Sequence, residues 1–281
     1  MSQSKKIQVR PDSGALGAEI GGVDLAQGLD DETVAAIRSA LLEHLVIFFR
    51  DQDLTSAQYM VFAEKFGELS EYPMISGIEG YPKIIPVTKL EHETINFGGI
   101  WHSDTTYLEN PPMGTMLLAR ELPPRGGDTL FANQYMAYET LSEGMRKMLD
   151  GLTGVNTSTL ATASRTREDR LKDHPHQEGA REFSAEHPVV RRHPETGRKS
   201  LFVNVGHTER FKDMTVEESA PILNQLFRHQ VQERFTCRFT WRPGSLVFWD
   251  NRAAQHNAIN DYDGFRRIMH RITFAGDTPQ S

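Results

Sequence analysis

Trp101-His102-Ser103-Asp104 sets an imidazole and a carboxylate two residues apart. On an extended backbone such residues project to one face, so this pair could bind a single ion together. A second imidazole, His256, follows the apolar stretch that ends at Trp249-Asp250, and another strand of a closed sheet could bring it beside the first two groups. Two neutral imidazoles and one carboxylate make a facial triad with open coordination positions, the arrangement suited to iron(II) and O₂. His102, Asp104 and His256 are therefore the candidate metal ligands and catalytic centre. Spacing alone is weak support in a chain with 11 histidines. His193-Pro194-Glu195 has the same spacing, but its His-Pro-Glu-Thr-Gly context reads as a turn, where exposure is expected. His174 and His176 fall in a polar stretch and are expected to be solvated.

The triad gains weight from Arg266-Arg267-Ile268-Met269-His270-Arg271-Ile272-Thr273-Phe274 near the C-terminus. On a strand, Arg267 and Arg271 share one face and His270 takes the other. If the first face looks into the cavity that holds His256, two guanidiniums stand beside the metal, each suited to a bidentate grip on carboxylate or sulfonate. The competing reading makes them surface arginines that protect an edge strand from aggregation.

These residues need elements to position them. Asp30-Asp31-Glu32 opens a stretch with Val34, Ile37, Leu41 and Leu42 at helical spacing, and it runs into the apolar Leu45-Val46-Ile47-Phe48-Phe49, a buried strand. A second helix is predicted over 56–66, and others over 135–149 and 216–231. Strands are predicted over 114–119, 129–132, 188–192, 200–204, 236–241, 245–249 and 267–274, separated by Gly- and Pro-containing turns. Many short strands with few helices between them predict a mainly β sandwich or jelly roll. Residues 157–186 are polar and weakly patterned, a lid-like insertion in an otherwise single domain spanning 1–281 with a helical N-terminal part.

Composition bounds the function. The 281 residues carry a formal charge of −7, which argues against a nucleic-acid partner. No apolar run approaches the roughly 18 residues of a membrane span, and no apolar segment follows the first lysines, so a cytoplasmic protein without a membrane partner is expected. The single cysteine, Cys237, lies in an alternating segment and is expected to be a buried strand thiol. Trp101, Trp249 and His187 are expected to serve packing.

With these residues in hand, the chain resembles the taurine dioxygenase family of 2-oxoglutarate-dependent oxygenases, which includes alkylsulfatases and phenoxyalkanoate oxygenases. The resemblance runs through Gly17-Ala18-Glu19-Ile20, Val46-Ile47-Phe48-Phe49-Arg50, Trp101-His102-Ser103-Asp104 and Gly126-Gly127-Asp128-Thr129. It continues through Glu186-His187-Pro188-Val189-Val190-Arg191, His193 to Gly197, Trp249-Asp250-Asn251-Arg252 to His256, and Arg267-Ile268-Met269-His270-Arg271. It implies a double-stranded β-helix (jelly roll) with flanking helices, Fe(II) on His102, Asp104 and His256, and 2-oxoglutarate and O₂ as cosubstrates. It also implies that Thr129 and Arg267 grip the distal carboxylate of 2-oxoglutarate, and that Arg271 meets the substrate's anionic group near the cosubstrate. The products would be succinate, CO₂ and an oxidised small organic anion, and a homo-oligomer is expected. Tyr72, Asn96, Thr105, Ser158 and His207 join Arg271 as candidate substrate contacts. Several of these positions depart from the taurine enzyme's own pattern: Tyr72 stands for a histidine, Ile75 for a tyrosine, Gly98 for an asparagine, and Ser158 and His207 for two phenylalanines. Taurine is therefore not expected to be the best substrate. The alternatives are a jelly-roll metalloprotein of cupin type that uses no keto acid, and a ligand-binding protein that has lost turnover.

Overall fold

Two segments, β3 (Val46–Phe49) and β14 (Leu246–Asp250), are buried along their whole length in the computed structural model, which describes residues 7–72, 75–160 and 182–281. A strand buried on both faces needs cover on both. β14 lies between β3 and β6 (Gly114–Glu121), and β6 pairs on its other side with β16 (Arg267–Phe274). These four form the centre of an eight-stranded sheet. Its order is β1 (Gln8–Pro11), β2 (Ala18–Gly21), β3, β14, β6, β16 and β4 (Leu69–Ser70), with β5 (Ile85–Lys89) also paired to β16.

The period of two sorts their side chains into two cores. Ile47, Phe49, Met116, Leu118, Leu246, Phe248 and Ile272 pack on the helical side with residues of α1 (Asp31–His44) and α2 (Ser56–Glu64). Val46, Phe48, Leu117, Val247, Trp249 and Met269 pack on the opposite side, against Phe131, Cys237, Phe239 and Ala254. The latter belong to, or directly flank the hydrogen bonds of, a three-stranded sheet ordered β13 (Thr236–Phe239), β7 (Thr129–Asn133) and β15 (Ala254–Ala258). Each such fully buried Val, Leu, Ile or Phe contributes about 1.5–3 kcal/mol, so the sorting of faces fixes the pairing register. Two facing sheets with helices outside make the jelly roll with flanking helices that was expected. A third apolar cluster joins α3 (Gln134–Glu139), α4 (Glu143–Leu149) and α5 (Val216–His229) to β10 (Val190–Arg192) and β11 (Lys199–Leu201). Beside it lies a three-stranded sheet of β12 (Thr208–Phe211), β8 (Thr153–Thr157) and β9 (Ser184–Pro188).

Local chemistry sets the helix ends. The Asp30 carboxylate accepts from the Thr33 amide at 2.8 Å, and Asp31 and Glu32 in the first turn complement the dipole of α1. Thr55 and Gln58 form a reciprocal capping box at the start of α2. The predicted helix over 135–149 is in fact two helices, because Ser142 accepts from the Met145 amide and starts α4 as a new N-cap. Of the predicted insertion, residues 161–181 lie outside the described residues; the ends that flank them pair as β8 and β9. His174 and His176 fall in the same stretch.

His193 overturns its expected exposure. It is 1% exposed, its Nε2–H donates to Asp250 Oδ2 at 3.0 Å, and its Nδ1 accepts from the amides of Glu195 and Thr196. The turn folds back over the end of β14 because the buried Asp250 needs partners: Arg252 donates Nε to Oδ1 and Nη2 to Oδ2, and Glu195 then pairs with Arg252 and Arg38. The readings of Cys237 and His187 hold. Cys237 is a buried strand thiol whose pKa burial raises, and buried His187 donates Nε2–H to the Leu108 carbonyl at 2.9 Å.

His270, on the opposite face of β16 from the two arginines, accepts from Arg120 Nε at 3.0 Å. Burial, and then Arg120, lower its pKa to about 4 from the ordinary 6.5. The unfolded chain therefore binds a proton that the folded chain refuses, and stability through this group is lost as pH falls from about 6.5 toward about 4. His270 is only partly buried, so the loss is roughly 1–2 kcal/mol. Denaturant midpoints measured across that window are expected to fall less steeply for His270→Asn than for the parent; parallel slopes would refute it.

Candidate metal centre

His102 and His256 form an isolated antiparallel bridge, with reciprocal backbone bonds of 3.0 and 2.9 Å. This pairing places their rings side by side, with centroids 4.2 Å apart. The chain does not continue as a strand past His102, contrary to the simple extended reading. Asp104 opens a turn, and Thr105 follows it at φ 41, in the left-handed region. The carboxylate nevertheless arrives beside both rings: Asp104 Oδ1 is 3.7 Å from His102 Nε2 and 3.8 Å from His256 Nε2. One donor atom from each of the three residues lies within 4.8 Å of the others, and all three residues are buried.

The donor set fits a metal ion. Neighbouring ligand atoms bonded at ~2.1 Å to one ion stand ~3.0–3.4 Å apart, so the carboxylate-to-imidazole separations of 3.7 and 3.8 Å need to close by only about half an ångström. His102 Nδ1–H donates to the Ile100 carbonyl at 2.7 Å, which fixes the tautomer that leaves Nε2 as a ligand. Burial, with His102 next, pushes the His256 pKa well below its ordinary value, so its imidazole is neutral. Burial alone would raise the Asp104 carboxyl. Arg271, His256, His102 and a hydrogen bond from Thr115 outweigh it and hold the group ionised, well below the usual carboxylate range. Arg271 Nη2 stands 3.0 Å from the same Oδ1.

A relay behind Asp104 fixes its other oxygen. Thr115 Oγ1 donates to Oδ2 at 2.7 Å, Asn251 Nδ2 donates to Thr115 Oγ1 at 3.0 Å, and Asn251 Oδ1 accepts from Trp249 Nε1 at 2.9 Å. Sequence reading missed Thr115 and Asn251, because only the pairing of β6 with β14 brings them together. Trp249 packs as expected, 4.7 Å from the His256 ring, and also forms a wall of the cavity.

That cavity gathers His102 and His256 with Thr129, Arg267 and Arg271. The two arginines share the inward face that strand parity predicts, since Arg267, Met269 and Arg271 are buried while Ile268 and His270 are half-buried. β16 is interior, paired with β6 on one side and β5 and β4 on the other, which removes the edge-strand reading. Thr129 Oγ1 accepts from Trp241 Nε1 at 3.0 Å, which frees its hydroxyl hydrogen for another acceptor. The candidate substrate contacts scatter more widely. Tyr72 places its ring 5.1 Å from the Arg271 guanidinium, and the His207 ring lies 6.0 Å from that of His102. Thr105 is buried next to Asp104, Asn96 donates to the Ala258 carbonyl at 3.0 Å, and Ser158 Oγ accepts from the Phe183 amide. None of these five lines the cavity itself, whereas Val87, Phe97 and Leu117, which sequence reading did not single out, do.

The sequence model of the "Taurine catabolism dioxygenase TauD, TfdA family" matches residues 8–273. The chain belongs to the TauD/TfdA family. Among curated relatives, an alpha-ketoglutarate-dependent sulfate ester dioxygenase of Pseudomonas putida is 35% identical over 98% of this chain and 91% of its own. An alkylsulfatase of Acinetobacter baylyi is 34% identical over 98% and 86%. The crystal structure of a taurine dioxygenase from Burkholderia xenovorans superposes with a TM-score of 0.82 at 38% identity, covering 97% of this chain and 90% of that one. This TauD/TfdA dioxygenase accordingly depends on Fe(II), 2-oxoglutarate and O₂. No helix among the described residues is long and apolar enough to cross a membrane.

Thr115→Val removes the donor to Asp104 Oδ2 and leaves Asn251 Nδ2 without its acceptor. Metal affinity, titrated with Co(II) by its visible absorption, is expected to fall about 10- to 100-fold. An unchanged affinity would show that the relay does not support the site.

Proposed function

We propose that His102, Asp104 and His256 hold the iron, that Thr129 and Arg267 bind the distal carboxylate of 2-oxoglutarate, and that Arg271 receives the anionic group of a small organic substrate. The reaction is oxidation of that substrate, with release of succinate and CO₂. The substrate is a sulfate ester, sulfonate or carboxylate. The observation that carries this reading is the convergence of two buried arginines on the cavity that holds both histidines. The relatives named for sulfate esters make alkyl sulfates the first class to test.

The bound iron and keto acid supply the oxidising chemistry. The protein's part is placement and exclusion of water. Arg267 from β16 and Thr129 from β7, beside the strand of His256, orient the diacid, and Trp249, Phe97 and Leu117 wall the site with apolar surface. Arg271, with Tyr72 stacked on it, presents a guanidinium whose planar fork matches a sulfate or carboxylate group. Hydroxylation of the carbon that bears the sulfate oxygen leaves an unstable product, so C–O cleavage follows from the same step.

Succinate is to be quantified after iron(II), 2-oxoglutarate, ascorbate and O₂ are supplied with a panel of alkyl sulfates, sulfonates, and aryloxy or aliphatic carboxylates. Substrate-dependent succinate is expected with at least one anionic class, and its loss in His102→Ala. Arg271→Ala is expected to raise KM or lower kcat for that substrate so that kcat/KM falls about 10- to 100-fold, the equivalent of one charge-assisted contact. Unchanged kinetics in Arg271→Ala would remove Arg271 from the substrate site.

A further inference from the structure

Lys89 is the last residue of β5 and is 2% exposed, among the largest fully buried side chains of the described residues. Its ammonium has no hydrogen-bond partner among those residues. It lies 4.6 Å above the ring of Tyr262, a contact that offsets only part of the cost of burying a charge. The carboxylates of the neighbouring turns are already engaged: Asp128 accepts from Arg238, and Asp261 accepts from the Gly127 amide. A buried cation with no anion is expensive, and its retention points to an anion that arrives from outside.

The position of Lys89 says which anion. In the register of β5 on β16, Lys89 stands directly opposite Arg267, and Val87 stands opposite Met269. Residues two apart share a face, so Lys89 lies on the face of Val87, which lines the cavity with Arg267 and Arg271. Side chains directly opposite on neighbouring strands stand within about 5.5 Å at their Cβ atoms, and like charges so placed repel. Gly127 closes this corner. Its φ of +71 strains any residue with a side chain, and a Cβ there would press on Arg267 Cδ and Tyr262 Cδ1 at 3.3 Å. Lys89 and Arg267 are thus register partners at the end of the cavity away from Arg271, with Tyr262 under the ammonium and, like Arg267, against Gly127.

We propose that Lys89 is a second cationic ligand for the distal carboxylate of 2-oxoglutarate, acting with Arg267 and Thr129 to select a diacid over a keto acid with an apolar tail. This assignment rests on the proposed role of Arg267 and Thr129. In the free protein Lys89 is a cost, offset when the diacid binds.

The test compares 2-oxoglutarate with 2-oxovalerate, which has the same five carbons and keto acid head but no distal carboxylate. Binding of each to the Mn(II)-loaded protein is measured by calorimetry for the parent, Lys89→Met and Lys89→Gln. Both variants are expected to bind 2-oxoglutarate about 10- to 100-fold more weakly, the effect of removing one charge-assisted contact, and to bind 2-oxovalerate as the parent does. The ligand-free Tm of Lys89→Met is expected to equal or exceed that of the parent, because methionine removes an unpaired buried charge at similar volume. Equal weakening toward both keto acids, no weakening toward either, or failure of both variants to fold would make Lys89 structural and overturn the assignment. A parent that binds both keto acids equally would overturn the Arg267 and Thr129 reading and the Lys89 assignment with it. A parent that prefers 2-oxoglutarate, beside unchanged variants, would overturn Lys89 alone.

Discussion

A carboxylate that is 2% exposed must be met by positive charge or donors from every side, and Asp104 is that carboxylate. Its partners come from four separate stretches of chain. Arg271 is supplied by β16, Thr115 by β6, His256 by β15, and His102 by the bridge that pins its backbone to His256. No pair of these stretches can shift register without leaving the charge uncompensated. The sheet order that puts β14, β6 and β16 side by side, and the facing sheet that carries β15, are the geometric conditions for this convergence.

The strand alternation that builds the core also sorts the charges. Aliphatic and aromatic residues of the central strands divide between a helical side and a side toward the smaller sheet, and Arg267 and Arg271 go with the second set because Met269 between them does. Negative charge on the flank of the site is neutralised locally, as Asp250 is by Arg252, with a further hydrogen bond from His193. Two arginines line the cavity and Asp104 pairs with one of them, which leaves a field suited to anionic cosubstrates and substrates rather than to neutral ones. This bias exists inside a chain whose overall charge is −7, which shows how little net charge says about a site.

Spacing and periodicity in the sequence were enough for the mainly β architecture, for the pairing of His102 with Asp104, and for the shared face of Arg267 and Arg271, because each follows from a local rule that acts within a few residues, whereas His256 joined the pair through the family resemblance. The long-range pairing of β6, β14, β15 and β16 is not written in any one segment, and it alone decided the rest. It buried His193, whose sequence context reads as an exposed turn, because the end of β14 needed a donor. It joined Thr115 and Asn251 into the support of Asp104, and it set Lys89 against Arg267 across two strands that are 178 positions apart at those residues. Such groups are ordinary polar residues in the sequence. They become functional candidates only where the low dielectric of the interior makes the charge or donor each one carries too costly to leave unmatched.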